Sequence, residues 1–166
     1  MQNRPYTKRE LDTIAKERCG KYRNRVKNNR VYCPEEEIKS TKDDSWDMPL
    51  VVAACSSKRN PYEVKTGRNN STLRNCNTVL KTAYEKNGVR IGEKPPHPVR
   101  LYPGEDYFEA GHCAEPHAAH ALLNVMKRHG VTLKIGEIDF SSAYNCKNNT
   151  VHDYCGTCKL VFPQLR

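Results

Sequence analysis

The first apolar positions of the chain recur at the spacing of one helix face. Five of them recur at helical spacing: Leu11, Ile14, Ala15, Tyr22 and Val26. This spacing predicts an amphipathic helix over 8–27 with a basic outer face. Thr7 and Glu10 stand at the positions of a capping box, which predicts where the helix begins. The following stretch, 28–47, is polar with little to bury and predicts a long loop.

Two short segments after this loop predict a β-hairpin. The run 49–55 is continuously apolar, which is typical of a buried strand. The run 62–66 alternates between apolar and polar residues, as an antiparallel partner would. Turn-forming residues occupy 56–61 between them, so we expect the hairpin to span 49–66.

Residues 67–110 predict an insert between this hairpin and the rest of the chain. The insert contains one helix, over about 73–86, which Asn87-Gly88 should end. We expect four of its residues to be buried: Leu73, Val79, Leu80 and Ala83. The remainder, 89–110, is rich in Pro and Gly and predicts either the wall of a pocket or a disordered insertion.

The last third of the chain predicts a layered α/β arrangement. A helix begins near Pro116 and ends before Gly130, and a strand alternates over 131–140. A polar loop over 141–153 and a short helix over 155–161 follow. The buried stripe expected for the longer helix is Ala118, Ala121, Leu122, Val125 and Met126. A helix followed closely by a strand favours an α/β fold.

The length and the net charge of the chain limit the classes of function that it can have. The 166 residues predict one domain, 1–166, and no apolar run approaches the ~20 residues that span a bilayer. Residues 1–27 are charged throughout and contain no signal-peptide core, so we expect no membrane contact. The net charge of +9 favours a polyanionic partner, with nucleic acid ahead of a merely solubilising surface.

Two short motifs carry the candidate chemistry. Cys113-Ala114-Glu115 lies at a predicted helix start, and Cys155 and Cys158 have the spacing that lets two thiols hold one metal ion. Three thiolates leave one tetrahedral position open for water, as a catalytic zinc site requires. We therefore predict Zn²⁺ held by Cys113, Cys155 and Cys158. Glu115 would lie near the metal without binding it, as a catalytic proton carrier.

A closed structural zinc site is the first alternative. It needs a fourth ligand, for which the candidates are Cys146, His152 and His117. Such a site would stabilise the fold without catalysing a reaction.

A cysteine nucleophile is the second alternative. Cys113 would then be paired with a histidine base, which could be His112, His117 or His120. This alternative leaves Cys155 and Cys158 without a role.

The other five of the eight cysteines favour a reducing compartment, since an odd number cannot all pair within one chain. Bridges between Cys19 and Cys33, or between Cys55 and Cys76, remain open alternatives.

The motifs resemble the signature of zinc-dependent nucleobase deaminases, H-x-E…P-C-x-x-C, in its three-cysteine variant. On these residues the chain resembles the cytidine deaminase-like superfamily over roughly 49–162. The context of 111–118, Gly-His-Cys-Ala-Glu-Pro-His-Ala, looks more like bacterial polymorphic-toxin deaminase domains of the YwqJ type. The resemblance implies a three-layer α/β/α sandwich, with the helix over 8–27 packed on one face. Tyr154 departs from the family pattern, which has proline before the first paired cysteine.

The resemblance also implies substrate contacts. Family members hold the ribose with an Asn after the second strand, where this chain has Asn69 and Asn70. His112 and Ala114, which flank Cys113, complete the predicted substrate-binding set. The aromatic residues that could stack on a flipped base are Tyr102, Tyr107, Phe108 and Tyr144.

The implied activity is hydrolytic deamination of a nucleobase, foremost cytosine to uracil in single-stranded DNA or RNA, by a bacterial toxin domain. The alternatives are a deaminase of free nucleosides or nucleotides and a non-enzymatic, zinc-stapled nucleic-acid-binding module. A toxin domain of this kind forms the C-terminal end of a secreted protein and acts in the cytoplasm of the target cell. We accordingly expect a monomer that an immunity protein neutralises.

Overall fold

The computed structural model describes residues 2–27, 50–70, 72–96 and 104–166. They form a mixed α/β structure with four α-helices and a five-stranded antiparallel sheet. The helices are α1 (Lys8–Lys27), α2 (Thr78–Lys86), α3 (Ala114–Arg128) and α4 (Gly156–Val161). The strands are β1 (Val51–Ser57), β2 (Val64–Arg68), β3 (Ile138–Phe140), β4 (Ala143–Asn145) and β5 (Val151–His152). The loop predicted over 28–47 lies outside the described residues. None of the described helices is long and apolar enough to cross a membrane.

Helix α1 has the bounds that the sequence predicts, and its capping box is formed. The Thr7 amide donates to the Glu10 carboxylate over 3.0 Å, and the Glu10 amide donates to Thr7 Oγ1 over 3.2 Å. Arg4 adds an ion pair of 2.7 Å to the same carboxylate. Because two orphan amides are satisfied reciprocally, the start of the helix is well defined.

The predicted hairpin is confirmed as β1 and β2, which pair antiparallel with Ser56 opposite Val64. The other edge of β1 is shared by two short strands, with Cys55 opposite Phe140 in β3 and Val52 opposite Tyr144 in β4. The register shifts by one residue between these pairs, which is the mark of a β-bulge. The bulge is fixed by Ser141, whose Oγ accepts from the Ala54 amide over 2.8 Å. Strand β5 completes the sheet beside β4.

The strand predicted over 131–140 is wrong for most of its length, since only Ile138–Phe140 is extended. The preceding residues Ile135–Glu137 form a 3₁₀ turn, and the Glu137 carboxylate accepts from the Lys134 amide over 3.1 Å. Strand β1 ends at Ser57, opposite Ile138, so the earlier residues have no strand partner. The loop predicted over 141–153 is also wrong, because it contains β4 and β5.

Helices cover both faces of the sheet. Along β1, Val52 and Ala54 pack under α1, whereas Val51 and Ala53 face the start of α3. The approach of α3 is close at Gly67 in β2, where a Cβ atom would lie 2.5 Å from the Ala114 carbonyl oxygen and would also clash with the Ala118 amide. Only glycine leaves room for the helix backbone there, so Gly67 sets the position of the first turn of α3.

Two helix predictions need correction. Helix α2 begins at Thr78 rather than near Leu73, because Asn75 has a positive φ of 49° and Asn77 caps the helix. Its buried residues are Leu80 and Tyr84, and Leu73, Val79 and Ala83 are only partly buried. In α3 the buried positions include Ala119 and Leu123 rather than Ala121 and Val125. The apolar face of α3 is broader than one stripe, since α3 packs against both the sheet and α2.

Candidate metal centre

The candidate site forms where two helices begin. Cys113 is the N-cap of α3, Cys155 is the N-cap of α4, and Cys158 lies in the first turn of α4. The Cys158 amide donates to Cys155 Sγ over 3.4 Å, which ties the two paired thiols together. The structure thus brings together the three cysteines that the sequence singles out.

The three sulfur atoms have the spacing of a metal site. They lie within 4.8 Å of one another, and Cys113 Sγ is 3.3 Å from Cys155 Sγ. A tetrahedral zinc with Zn–S bonds of about 2.3 Å separates its sulfur ligands by about 3.8 Å. The trio therefore fits an ion of this size with small shifts of the side chains. Thiolate ligands in this geometry suit zinc better than the harder divalent ions.

The three thiols are not equally ready to bind a cation. Hydrogen bonds from the Cys113 and Cys158 thiols lower the pKa of Cys155 to about 3. Hydrogen bonding within the trio, together with burial, raises the pKa of the Cys113 and Cys158 thiols well above the ordinary value. A metal ion that binds all three sulfurs must therefore displace protons from these two thiols.

Glu115 lies beside the thiols without belonging to the ligand group. Its side chain is almost fully enclosed in the first turn of α3, and its Oε2 is 3.7 Å from Cys158 Sγ. Burial raises the pKa of this carboxyl to about 7, and the negative charge of Cys155 adds to the effect. A carboxyl with such a pKa can both accept and donate a proton near neutral pH.

The ligand group has no fourth member among the described residues, since no other His, Cys, Asp or Glu ligand atom lies within 4.8 Å of all three sulfurs. Cys146, one proposed fourth ligand, packs on the α1 face of the sheet. His152 instead contacts the backbone of Asp153, and His117 does not join the group. The described residues therefore leave one tetrahedral position open.

Two of the three histidines proposed as bases for Cys113 have other hydrogen-bond partners. His112 Nε2 lies 2.5 Å from Thr72 Oγ1 and 3.0 Å from the Glu109 carboxylate. His120 Nδ1 accepts from the Asn77 amide over 3.0 Å, at the contact between α2 and α3. Burial lowers the pKa of His120, so its role is to join two helices in the neutral form.

The predicted substrate contacts divide into two groups. The Asn70 amide donates to the His112 carbonyl over 2.9 Å, so Asn70 and His112 lie next to the metal centre. Asn69 extends the pairing of β2, and its Oδ1 accepts from the Val51 amide over 2.8 Å. Ala114 is buried against the sheet. Asn69 Oδ1 is therefore already bonded to the backbone, and the Ala114 side chain is part of the core.

Of the two alternatives predicted for 89–110, the contacts of its last part along α4 favour the wall of a pocket. Residues 104–110 pack along this helix: the Gly156 amide donates to Asp106 O over 2.7 Å, and Thr157 Oγ1 donates to Phe108 O over 2.6 Å. The Tyr107 ring lies so close to Gly156 that a Cβ atom there would be 2.6 Å from Tyr107 Cζ. Gly156, between Cys155 and Thr157, is the residue in the sequence that allows this close approach of Tyr107.

The predicted stacking aromatics do not share one location. Phe108 is 44% exposed near the start of α4. Tyr144 is buried on the α1 face of the sheet, away from the three cysteines of the candidate metal centre. Tyr102 lies outside the described residues.

No protein-family model, curated protein or solved structure matches this chain.

Proposed function

We propose that this chain is a zinc-dependent nucleobase deaminase that converts cytosine to uracil in single-stranded nucleic acid. One observation carries the proposal: Cys113, Cys155 and Cys158 place their sulfurs within 4.8 Å of one another, beside the enclosed carboxyl of Glu115. The lack of a fourth ligand among the described residues favours an open, catalytic site over a closed one.

The proposed chemistry needs the metal and the carboxyl together. Zinc bound by the three thiolates would lower the pKa of water, so that a nucleophile is available at neutral pH. Glu115 would accept a proton from the attacking water and pass it to the ring nitrogen of the base. The water oxygen would add at C4, Glu115 would pass the second proton of that water to the amino nitrogen, and the C–N bond would break to release ammonia. Its position beside Cys158 suits this shuttle.

The order of elements supports a deaminase-like sandwich. The hairpin β1–β2, the helix α3, the strand β3 and the helix α4 occur in the order of the family that the motifs resemble, with α2 inserted before α3 and with β4 and β5 inserted before α4. Tyr154, which replaces the family's proline, donates its hydroxyl to Ser141 O over 2.6 Å. This hydrogen bond links the bulge of the sheet to the residue before Cys155. Tyr154 can therefore position Cys155 and Cys158 in place of the family's proline.

A polymer substrate is favoured by charge. The net charge of +9 would attract a polyanion through counterion release, a gain that a free nucleoside does not offer. Activity on single strands should therefore fall steeply as salt rises, and activity on nucleosides should not.

The toxin assignment rests on the similarity of 111–118 to toxin deaminase domains. It implies activity in the cytoplasm of a target cell and a monomer with an immunity protein as its partner. Expression in bacteria tests it: the chain should stop growth and leave base changes in DNA or RNA. The Glu115→Gln variant at equal abundance should do neither. Growth arrest by both proteins would contradict deamination as the cause.

The biochemical test uses the zinc-loaded protein with single-stranded DNA, RNA and free nucleosides, and mass spectrometry to detect replacement of an amino group by an oxo group. Glu115→Gln is the inactive variant and Glu17→Gln, an exposed carboxyl on α1, is its matched control. Conversion of a polymer by the wild type and Glu17→Gln alone supports the proposal. Conversion of free nucleosides alone moves the substrate to small molecules. Retained zinc without any conversion moves the function to a zinc-stapled binding module.

A further inference from the structure

A second pair of thiols lies on the opposite face of the sheet. Cys19 in α1 and Cys146, directly after β4, are both fully buried, and the two sulfur atoms are 2.8 Å apart. They belong to the core between α1 and the sheet, whereas the metal centre borders the core around α3. Nothing in the proposed deaminase chemistry uses this pair.

The surroundings hold the two thiols face to face. The Cys146 amide donates to Leu50 O over 2.8 Å, which fixes its backbone against the start of β1. One turn of helix beyond Cys19, Arg23 Nη1 donates to Cys146 O and to Asn149 Oδ1, each over 2.7 Å. Because these contacts anchor both backbones, the sulfurs remain aligned across the contact between α1 and β4.

We propose that Cys19 and Cys146 are a disulfide-forming pair that, on oxidation, joins the middle of α1 to the end of β4. A disulfide has an S–S bond of about 2.0 Å, so the sulfurs need to approach by less than about 1 Å. The sequence separation of 127 residues means that the bond would close a long loop. Closing a long loop restricts the unfolded chain strongly, so the bond stabilises the fold.

The oxidant is a small disulfide such as oxidised glutathione. One deprotonated cysteine, for example Cys19, attacks a sulfur of the oxidant, whose S–S bond breaks and releases one thiolate. The deprotonated Cys146 then attacks the Cys19 sulfur of the mixed disulfide and releases the second thiolate. Each released thiolate takes up a proton, so the oxidant is reduced to two thiols while the cysteines lose two electrons and two protons. Both sulfurs are buried, so exchange occurs during folding or when α1 opens locally.

The metal centre offers a competing pair, since Cys113 Sγ is 3.3 Å from Cys155 Sγ. The two pairs can be separated by zinc, which occupies the thiolates it binds and removes them from exchange. The experiment therefore refolds the whole chain with zinc in oxidised or in reduced glutathione. Peptide mapping under non-reducing conditions then identifies the linked cysteines, and the melting temperature of each sample is measured.

The matched variants are Cys19→Ala and Cys146→Ala, and Cys76→Ala removes a thiol that belongs to neither group. Each variant is compared with itself, oxidised against reduced, so that its own loss of stability cancels. We expect a linked Cys19–Cys146 peptide and a melting temperature about 5–15 °C higher on oxidation in the wild type and Cys76→Ala. Dithiothreitol should reverse both effects, and neither should occur in the other two variants.

Three results would overturn the proposal. The first is full alkylation of Cys19 and Cys146 after refolding in oxidised glutathione and denaturation. The second is linkage of either cysteine to a different partner, including Cys33. The third is a Cys19–Cys146 bond that leaves the melting temperature unchanged, because the bond would then not stabilise the fold. All three readouts are independent of deaminase activity.

Discussion

The two faces of the sheet place cysteines in contrasting settings. On the α1 face, Cys19 lies in the middle of a helix and meets one other thiol, inside an apolar core. On the α3 face, Cys113 precedes the first turn of a helix and meets two thiols and the carboxyl of Glu115. The first setting suits a covalent link between two elements, and the second suits a metal ion with a proton carrier beside it. The two settings differ in the position of the cysteine within its helix, in the number of neighbouring thiols and in the presence of a carboxyl.

The largest expected effect comes from removing a metal ligand. Cys155→Ser should lose zinc and destabilise the fold by about 5 kcal/mol or more, since a metal ion that binds only the folded chain stabilises that fold. Metal analysis and urea unfolding measure the two losses. Cys76→Ser, which changes a thiol outside the ligand group, should keep both zinc and stability near the wild type. Equal zinc content in the two variants would contradict the assignment of the centre.

A smaller effect should follow from pushing α3 off the sheet. Gly67→Ala places a methyl group against the backbone of the first helical turn and should lower the free energy of unfolding by about 3 kcal/mol. Zinc affinity should fall as well, because the same turn positions Cys113 and Glu115. Gly136→Ala is the control, since no atom lies within 4 Å of its added Cβ. Unchanged zinc affinity in Gly67→Ala would mean that the sheet does not position the site.

The smallest effect concerns the start of α1. Hydrogen bonds from Arg4 and Thr7 lower the pKa of Glu10 from 4.5 to about 2. Its stabilisation is therefore present above about pH 4.5 and is lost as the pH falls towards 2. Glu10→Gln should lower the melting temperature slightly at pH 7 and converge with the wild type at low pH. The metal centre should be unaffected, and a change in zinc affinity would show that the two faces are coupled.

Local signals in the sequence predicted the elements whose partners are near in the chain. The capping box of Thr7 and Glu10, the alternation of the hairpin and the glycine after α3 each act within a few residues, and α1, β1–β2 and the end of α3 are confirmed. The three cysteines of the candidate metal centre were also identifiable, because Cys113 stands at a predicted helix start and the spacing of Cys155 and Cys158 is itself local.

Features set by distant contacts could not be predicted in this way. Alternation over 131–140 suggested a full strand, but only the residues opposite the end of β1 find a partner. The bulge at Ser141 depends on β1. A wall within 89–110 was one of two predicted alternatives, but the contact of Tyr107 with Gly156 could not be read from composition. The approach of Cys19 to Cys146 joins positions 127 residues apart, and no periodicity marks it.

The central claim is that Glu115 carries protons beside a metal that it does not bind. The most direct measurement is the zinc content and the deamination rate of Glu115→Gln, taken on the same preparation as the wild type. We expect about one zinc per chain in both proteins and a rate at least about 10²-fold lower in the variant. Full activity with retained zinc would contradict the role of the carboxyl. Loss of zinc would show that Glu115 supports the metal rather than the proton transfer.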